Sequence, residues 1–333
     1  MPEGRLHPAV AEVRVAVRRQ LAQLPTPITA VTVALSGGAD SLAVLAATVF
    51  EARRLDCAVH AVTVDHQLQA GSAEIAQRAA EQATHLGAQA SVVAVTVDEQ
   101  KEGPEAAART ARYDALRAAA HSNGSDAVVL GHTLDDQAET VLLGLARGSG
   151  SGSLQGMAAA RCDDEGLWWL RPMLGVRRAT TQAVCVASGI DYWNDPHNSD
   201  DRYTRVRVRR TVLPMLEDEL GPGIAEALAR TAEQLREDSD AFDAMIRETI
   251  EDIVEPAEAG IAVSVAALAA NPAALRNRII RFVVASEFGA MLTRQQTLEV
   301  ARLVTDWRGQ GPIDLPACQA LRSGGRIMFR AHH

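Results

Sequence analysis

Five short segments of this chain carry side chains suited to phosphate and amine chemistry. The first is Ser36-Gly37-Gly38-Ala39-Asp40-Ser41, where a β-branched run hands over to a helical pattern. Two glycines let the backbone approach an anion closely, and the N–H groups of the helix start point at it. Ser36 and Ser41 add hydroxyl donors. No lysine follows, so this is neither the GxxxxGK[ST] loop nor GxGxxG. An acid beside a phosphate site makes sense as a ligand for Mg²⁺, which is the role expected of Asp40. The competing reading is an ordinary tight turn with Asp40 as a helix-cap acid.

The second segment is Gly131-His132-Thr133-Leu134-Asp135-Asp136-Gln137-Ala138-Glu139-Thr140. Capping would explain one acid in a first turn, but two adjacent acids beside His132 exceed what a cap needs. Asp136 and His132 are therefore candidate catalytic groups. Asp65-His66 ends another apolar run, where His66 is either a nucleotide contact or a satisfied strand-end histidine. Arg109 and Arg112 stand three apart on a helical pattern and so face one side, as a cationic clamp or a solvated arginine face. Tyr113 reads as core. Finally, Tyr203-Thr204-Arg205-Val206-Arg207-Val208-Arg209-Arg210, with Arg202 just before, is strongly basic. Arg202, Arg205, Arg207 and Arg209 are the candidate contacts to nucleic-acid phosphates, and a solvated basic helix start is the alternative.

These segments need elements to hold them. Near-continuous apolar runs, ITAVTVAL from Ile28, CAVHAVTVDH, ASVVAVTV and DAVVLGH, alternate with amphipathic stretches such as Ser72 to Leu86. That pattern predicts an α/β fold, a doubly wound parallel sheet covered on both faces, with ligands at the carboxyl ends of its strands. SGGADS, VDHQ and GHTLDDQ all fall at those ends. After the glycine-serine break at Gly148–Ala158, LWWLRPML reads as one more strand, and at least one of Trp168 and Trp169 should be core. A long helical stretch from about Arg205 to Val254 carries Pro214 and Gly221-Pro222-Gly223. From about Gly260 the pattern gives two or three short helices and a hairpin around Ser323-Gly324-Gly325. The expected organisation is a catalytic domain over 1–215, then a helical linker and a smaller, mainly helical domain over 216–333.

Composition narrows the class. The 333 residues exceed one typical domain, and 47% apolar with 23% charged residues is a globular profile. A net charge of −9 argues against wholesale coating of nucleic acid but leaves local basic patches open. The absence of a stretch near the ~20 apolar residues of a span predicts no membrane crossing, and a soluble cytoplasmic protein is expected. The four cysteines (Cys57, Cys162, Cys185, Cys318) form no CxxC pair, which disfavours a disulfide scaffold or zinc ribbon.

SGGADS at the end of the first strand resembles the SGGxDS pyrophosphate loop of the N-type ATP pyrophosphatases, the PP-loop superfamily. Asp65-His66, the series Glu105, Arg109, Arg112, Tyr113, the GHTLDDQAET segment, Arg171-Pro172-Met173-Leu174 and Asp195-Pro196-His197-Asn198 then follow in order. Together, over about residues 28 to 215, they resemble the tRNA(Ile)-lysidine synthases. The resemblance implies ATP and Mg²⁺ as cofactors, with ATP on Ser36, Gly37, Gly38, Ala39, Asp40, Ser41, Asp65 and His66. It implies Asp40, Asp136, His132, Arg109 and Arg112 as catalytic groups. It also implies L-lysine and a CAU-anticodon tRNA(Ile) as partners, joined at the wobble cytidine through an adenylated base with release of AMP and pyrophosphate. A homodimer is compatible with the reading. Two departures stand out: Gln67 lies where the family usually has glycine, and Val206 where it commonly has asparagine. The rivals are cytidine thiolation by a related enzyme, against which the unpaired cysteines speak, and a nucleotide-binding sensor without turnover.

Overall fold

The computed structural model describes residues 6–25, 27–67, 71–96, 104–148, 150–195, 200–257 and 260–332, the side chains at 104 and 105 excepted. Glu105 and the Pro196-His197-Asn198 part of the motif lie outside the described residues or side chains. The chain divides into two compact units, Met1–Arg236 and Glu237–His333.

In the first unit the elements run α1 (Pro8–Leu21), β1 (Ala30–Ala34), α2 (Ala39–Ala52), β2 (Ala58–Asp65), α3 (Ser72–Leu86), β3 (Gln89–Ala94), α4 (Pro104–Ser122), β4 (Ala127–Val129), α5 (Leu134–Arg147), α6 (Ser151–Leu154), β5 (Ala160–Cys162), β6 (Trp168–Leu170), α7 (Arg178–Ser188), α8 (Thr204–Arg207) and α9 (Leu213–Leu220). The sheet order is β3-β2-β1-β4-β6-β5, parallel except for the edge strand β5. The strands β1, β2 and β4 are mostly buried because helices cover both faces, whereas the edge strand β3, expected from its apolar run to be covered too, stays largely exposed, Val92 among its exposed residues. One core takes Val31 and Val33 of β1 with residues of α1, α2, α3 and α7, while the opposite one takes Val62, Val128 and Leu116 of α4. Neighbouring residues of β6 split between these layers: Trp168 packs against the first core and Trp169, 4% exposed, lies in the second.

α1 answers to no sequence expectation above, yet its Val13 and Val17 are fully buried. The basic stretch is not one straight helix. α8 passes through a π-helical turn at Val208–Val212 into α9, which ends before Gly221. α10 (Ile224–Ile253) then begins, its first N–H groups capped by Glu217, whose Oε2 accepts from Gly223 N at 2.6 Å.

The second unit adds to the expected helices a sheet of which the sequence pattern predicts only one hairpin. Beside α11 (Val265–Ala270), α12 (Ala273–Phe288) and α13 (Arg294–Thr305) it holds β7 (Val254–Ala257), β8 (Gly260–Ser264), β9 (Ile313–Leu315), β10 (Cys318–Ser323) and β11 (Arg326–Ala331). These make a five-stranded antiparallel sheet in the order β7-β8-β11-β10-β9. The expected hairpin is β10–β11, joined at Ser323–Arg326. Pro256 sits in the edge strand β7, where a missing N–H is tolerated, and this proline masks the strand in the sequence. No helix among the described residues is long and apolar enough to cross a membrane.

Candidate active site

The loop between β1 and α2 is held in shape by its own serines. Ser41 Oγ donates to Gly38 O at 2.9 Å and accepts from Ser36 N at 3.2 Å. Gly37 has φ +78°, and a Cβ there would meet Ala79 Cβ at 3.3 Å, so glycine is required twice over. Trp193 N donates to Gly37 O at 2.9 Å, fastening the segment after α7 to this loop. The strand end after β4 presses on the same place: a Cβ on Gly131 would lie 3.1 Å from the Asp40 carbonyl and from Ser41 Cα.

At the end of β2, Asp65 Oδ1 accepts from Gln67 N at 2.9 Å, and Gln67 has φ +56°. The backbone thus keeps a left-handed turn with glutamine where glycine would be the easier residue. His66 Nδ1 is buried without a hydrogen-bond partner.

Asp136 does two jobs, one with each oxygen. Its Oδ2 closes a capping box with Thr133, accepting from Thr133 N at 2.9 Å. Its Oδ1 faces three arginines: Arg178 Nη2 at 2.7 Å, Arg209 Nη2 at 3.2 Å and Arg205 Nη2 at 3.7 Å. Burial pushes this carboxyl up, but Arg178, the Thr133 N–H and Arg205 outweigh it and hold the pKa at about 2. Glu139, one turn further along the same face of α5 and fully buried, takes Arg209 Nε at 2.6 Å, Arg205 Nε at 2.8 Å and Arg178 Nη1 at 3.5 Å. Asp135 points elsewhere: its Oδ2 accepts from Arg178 N at 2.7 Å and caps α7.

Arg178 also reaches Asp40, Nε to Oδ2 at 3.3 Å, while Thr181 donates to the other oxygen of Asp40. One guanidinium therefore lies between the acid of the phosphate loop and the acid of α5. Burial raises the Asp40 pKa from the ordinary carboxylate value, offset in part by Thr181 and Arg178. His132 sits beside this network with Nδ1 buried and unpartnered, and burial lowers its pKa to about 3, so its ring is neutral at physiological pH.

The sequence-derived residues thus come together only in part. Asp40, Asp136 and His132 share one edge of the sheet with Arg205 and Arg209. These two arginines are not part of a surface patch with Arg202 and Arg207, as the single-cluster expectation had it. The π-helical turn rotates Arg209 inward to Glu139, whereas Arg202 is exposed with Asp200 as its partner and Arg207 is spent on the carbonyls of Asp201 and Arg202. Arg109 lies over the Tyr113 ring, and Tyr113 stacks on Trp169 at 4.9 Å. Arg112 keeps solvent contact, yet desolvation by the surrounding protein and the charges of Arg109 and Arg205 lower its pKa. Sequence reasoning missed Arg178 and the role of Glu139. The available signals were the i,i+3 pair Asp136/Glu139 and the i,i+4 pair Arg205/Arg209, which place like charges on one face and call for counter-ions. Gln137 is a brace: its side chain exchanges two hydrogen bonds with the Met157 backbone, at 2.7 and 3.0 Å.

A serine-glycine loop at the end of the first strand of a parallel sheet, with acids facing it from the neighbouring strand end, defines a PP-loop protein. Residues 13–216 match the PP-loop domain, and residues 264–328 match the TilS substrate binding domain. The tRNA(Ile)-lysidine synthase of Leifsonia xyli is 55% identical over 303 residues, covering 91% of this chain and 90% of that protein. The tRNA(Ile)-lysidine synthase of Streptomyces coelicolor is 46% identical over 355 residues, covering 97% and 99%. The chain belongs to the tRNA(Ile)-lysidine synthase family. Among solved structures, the U34-tRNA thiolase NcsA of Methanococcus maripaludis, with its [4Fe-4S] cluster, superposes with a TM-score of 0.58 at 18% identity. It covers 69% of this chain and 80% of that one, a likeness of fold.

Proposed function

We propose that the protein uses ATP to join L-lysine to the wobble cytidine of a CAU-anticodon tRNA(Ile), in the cytoplasm, with release of AMP and pyrophosphate. The observation that carries this reading is the placement of Arg178 between Asp40, on the phosphate loop, and Asp136, on α5. It ties a phosphate site to a mixed acid–arginine site at one strand edge.

In this reading the pyrophosphate of ATP rests on the Ser36–Ser41 loop against the N-terminus of α2, whose N–H groups stabilise its charge. The cytidine O2 attacks the α-phosphorus, forming an O–P bond as the bond to pyrophosphate breaks. The lysine ε-amine then attacks C2 of the adenylated base, and AMP leaves with the oxygen. L-Lysine carries a carboxylate and two amines, which a set of three arginines and two acids can address together. Asp136, with a pKa of about 2, suits holding an ammonium ion better than accepting its proton. His132, neutral through burial, can hydrogen-bond the base without adding charge.

Mg²⁺ fits this edge. Asp40 is an acid of the phosphate loop with its carboxylate at the sheet edge, and one carboxylate completed by phosphate oxygens and water is a ligand set that Mg²⁺ uses. When bound there it would draw electron density from the phosphate oxygens. The thiolation reading finds little support: among the described residues no three cysteine, histidine or acidic side chains group to hold a metal. The test is AMP release from ATP by the purified protein, adding lysine and CAU-anticodon tRNA separately and together. Release that requires the tRNA is expected, and release indifferent to it would overturn the reading.

A further inference from the structure

Arg171 follows the last residue of β6 and is 8% exposed. A guanidinium this deep ordinarily has a carboxylate partner, because an unpaired buried charge is costly. Among the described residues none lies within ion-pair distance of it. Its Nη1 donates to the Ala158 carbonyl at 3.0 Å, its Nη2 to the Tyr113 hydroxyl at 3.3 Å, and its Nε is buried with no acceptor at all. Arg109 Nη2 donates to the same Tyr113 hydroxyl at 3.4 Å. Two cations therefore converge on one neutral oxygen, itself fixed by the stacking of Tyr113 on Trp169. The nearby acids give no relief, since Asp136 and Glu139 are occupied by Arg178, Arg205 and Arg209. An anion that offers several oxygens would complete such a set of donors.

The geometry points to a second phosphate site, formed by Arg171 and Arg109 about the Tyr113 hydroxyl, that takes a backbone phosphate of the RNA next to the reacting nucleotide. The inference rests on the proposed use of RNA as acceptor. Its position separates it from the pyrophosphate loop: β1 and β6 are two strand spacings apart, about 10 Å, with β4 and His132 between them. A base presented to the centre of this edge would have ATP on the β1 side and its own flanking phosphate on the β6 side. Arg171 and Arg109 then act as positioning residues, fixing the nucleotide whose oxygen attacks.

The test uses the full chain, ATP, and an anticodon stem-loop RNA with a CAU loop, in unmodified form and with a neutral methylphosphonate at either phosphate flanking the wobble cytidine. One of the two neutral linkages should weaken RNA binding about tenfold or more and lower the salt slope by about 0.7–0.9. Arg171→Met should cause the same loss with unmodified RNA, and the modified RNA should cost that variant nothing further. ATP affinity should stay unchanged. Tyr113→Phe, which keeps the packing and removes the shared acceptor, should weaken RNA binding severalfold, and it serves where Arg171→Met does not fold. RNA binding indifferent to both neutral linkages would overturn the site. So would a loss confined to ATP affinity, which would hand the two arginines to the nucleotide. tRNA-dependent AMP release by the unaltered protein is measured alongside. Its absence counts against the ligase reading, whereas its presence with no effect of the neutral linkages counts against this site alone.

Discussion

Glu139 is the keystone of the acid–arginine network, and removing it tests whether that network is a structural unit. Its side chain is fully buried and takes three guanidiniums, two of them at 2.6 and 2.8 Å. Truncating one member of a buried charged set costs about 3–5 kcal/mol, because the partners lose their counter-charge. Here the cost is discounted. The arginine side chains retain 19 to 32% exposure and keep Asp136 as a second partner, so the lower end, about 3 kcal/mol, is expected for Glu139→Ala. In a domain of this size that corresponds to a fall of about 6–12 °C in Tm. Glu139→Gln keeps the volume and one acceptor and should lose about half as much. The assay is urea unfolding followed by tryptophan fluorescence, run on both variants and on Glu139→Ala combined with Arg209→Ala. The double variant should be less destabilised than the sum of the singles, because each leaves the other uncompensated. A loss below 1 kcal/mol for Glu139→Ala, with additive doubles, would show that these charges do not form a structural unit.

Three further outcomes are expected. His132 binds its proton at about 3 in the fold and at about 6.5 unfolded, so the unfolded chain takes up that proton first; stability should therefore fall by up to roughly 4 kcal/mol as pH drops from 6.5 to 3. His132→Gln should flatten that decline, leaving the loss below pH 4 in which Asp136 shares; parallel unfolding curves would contradict it. Gly131→Ala drives a Cβ against the backbone of Asp40 and Ser41 and should cost about 1–3 kcal/mol and weaken ATP binding measured by calorimetry; an unchanged Kd would show the contact to be slack. If exposed Arg202 and Arg207 each neutralise one RNA phosphate, replacing both with Ala should lower the salt slope of tRNA binding by about 1.4–1.8 while leaving Tm within a degree or two. An unchanged slope would return them to the solvated surface.

The phosphate loop, the strand ends that carry it and the acid pair at 135–136 are legible in the sequence because each is local. A strand, a turn and a helix start lie within a dozen residues, and hydrophobic periodicity marks them. Asp136 could be read as a cap or as a functional acid; in the structure one oxygen caps α5 and the other faces the arginines. What escapes local reading is the pairing of distant charges. Arg178 meets Asp40 across 138 residues, and Arg209 meets Glu139 across 70. No spacing rule links such partners, and the inward turn of Arg209 depends on one π-helical turn that leaves no pattern of its own. The second unit was harder still. Its strands are short, one carries a proline, and their pairing joins β8 to β11 across three helices and two further strands. Gln67 runs the other way: a residue without glycine's freedom takes up a left-handed backbone conformation, φ +56°.

If the phosphate loop and the acid–arginine site act together on one cytidine, the product is visible in the mass of the anticodon fragment of a CAU tRNA(Ile) after incubation with the protein, ATP, Mg²⁺ and L-lysine. The wobble cytidine should gain lysine less one water, only when ATP is present. An unmodified cytidine under those conditions, or one whose oxygen has been exchanged for sulfur, would contradict it.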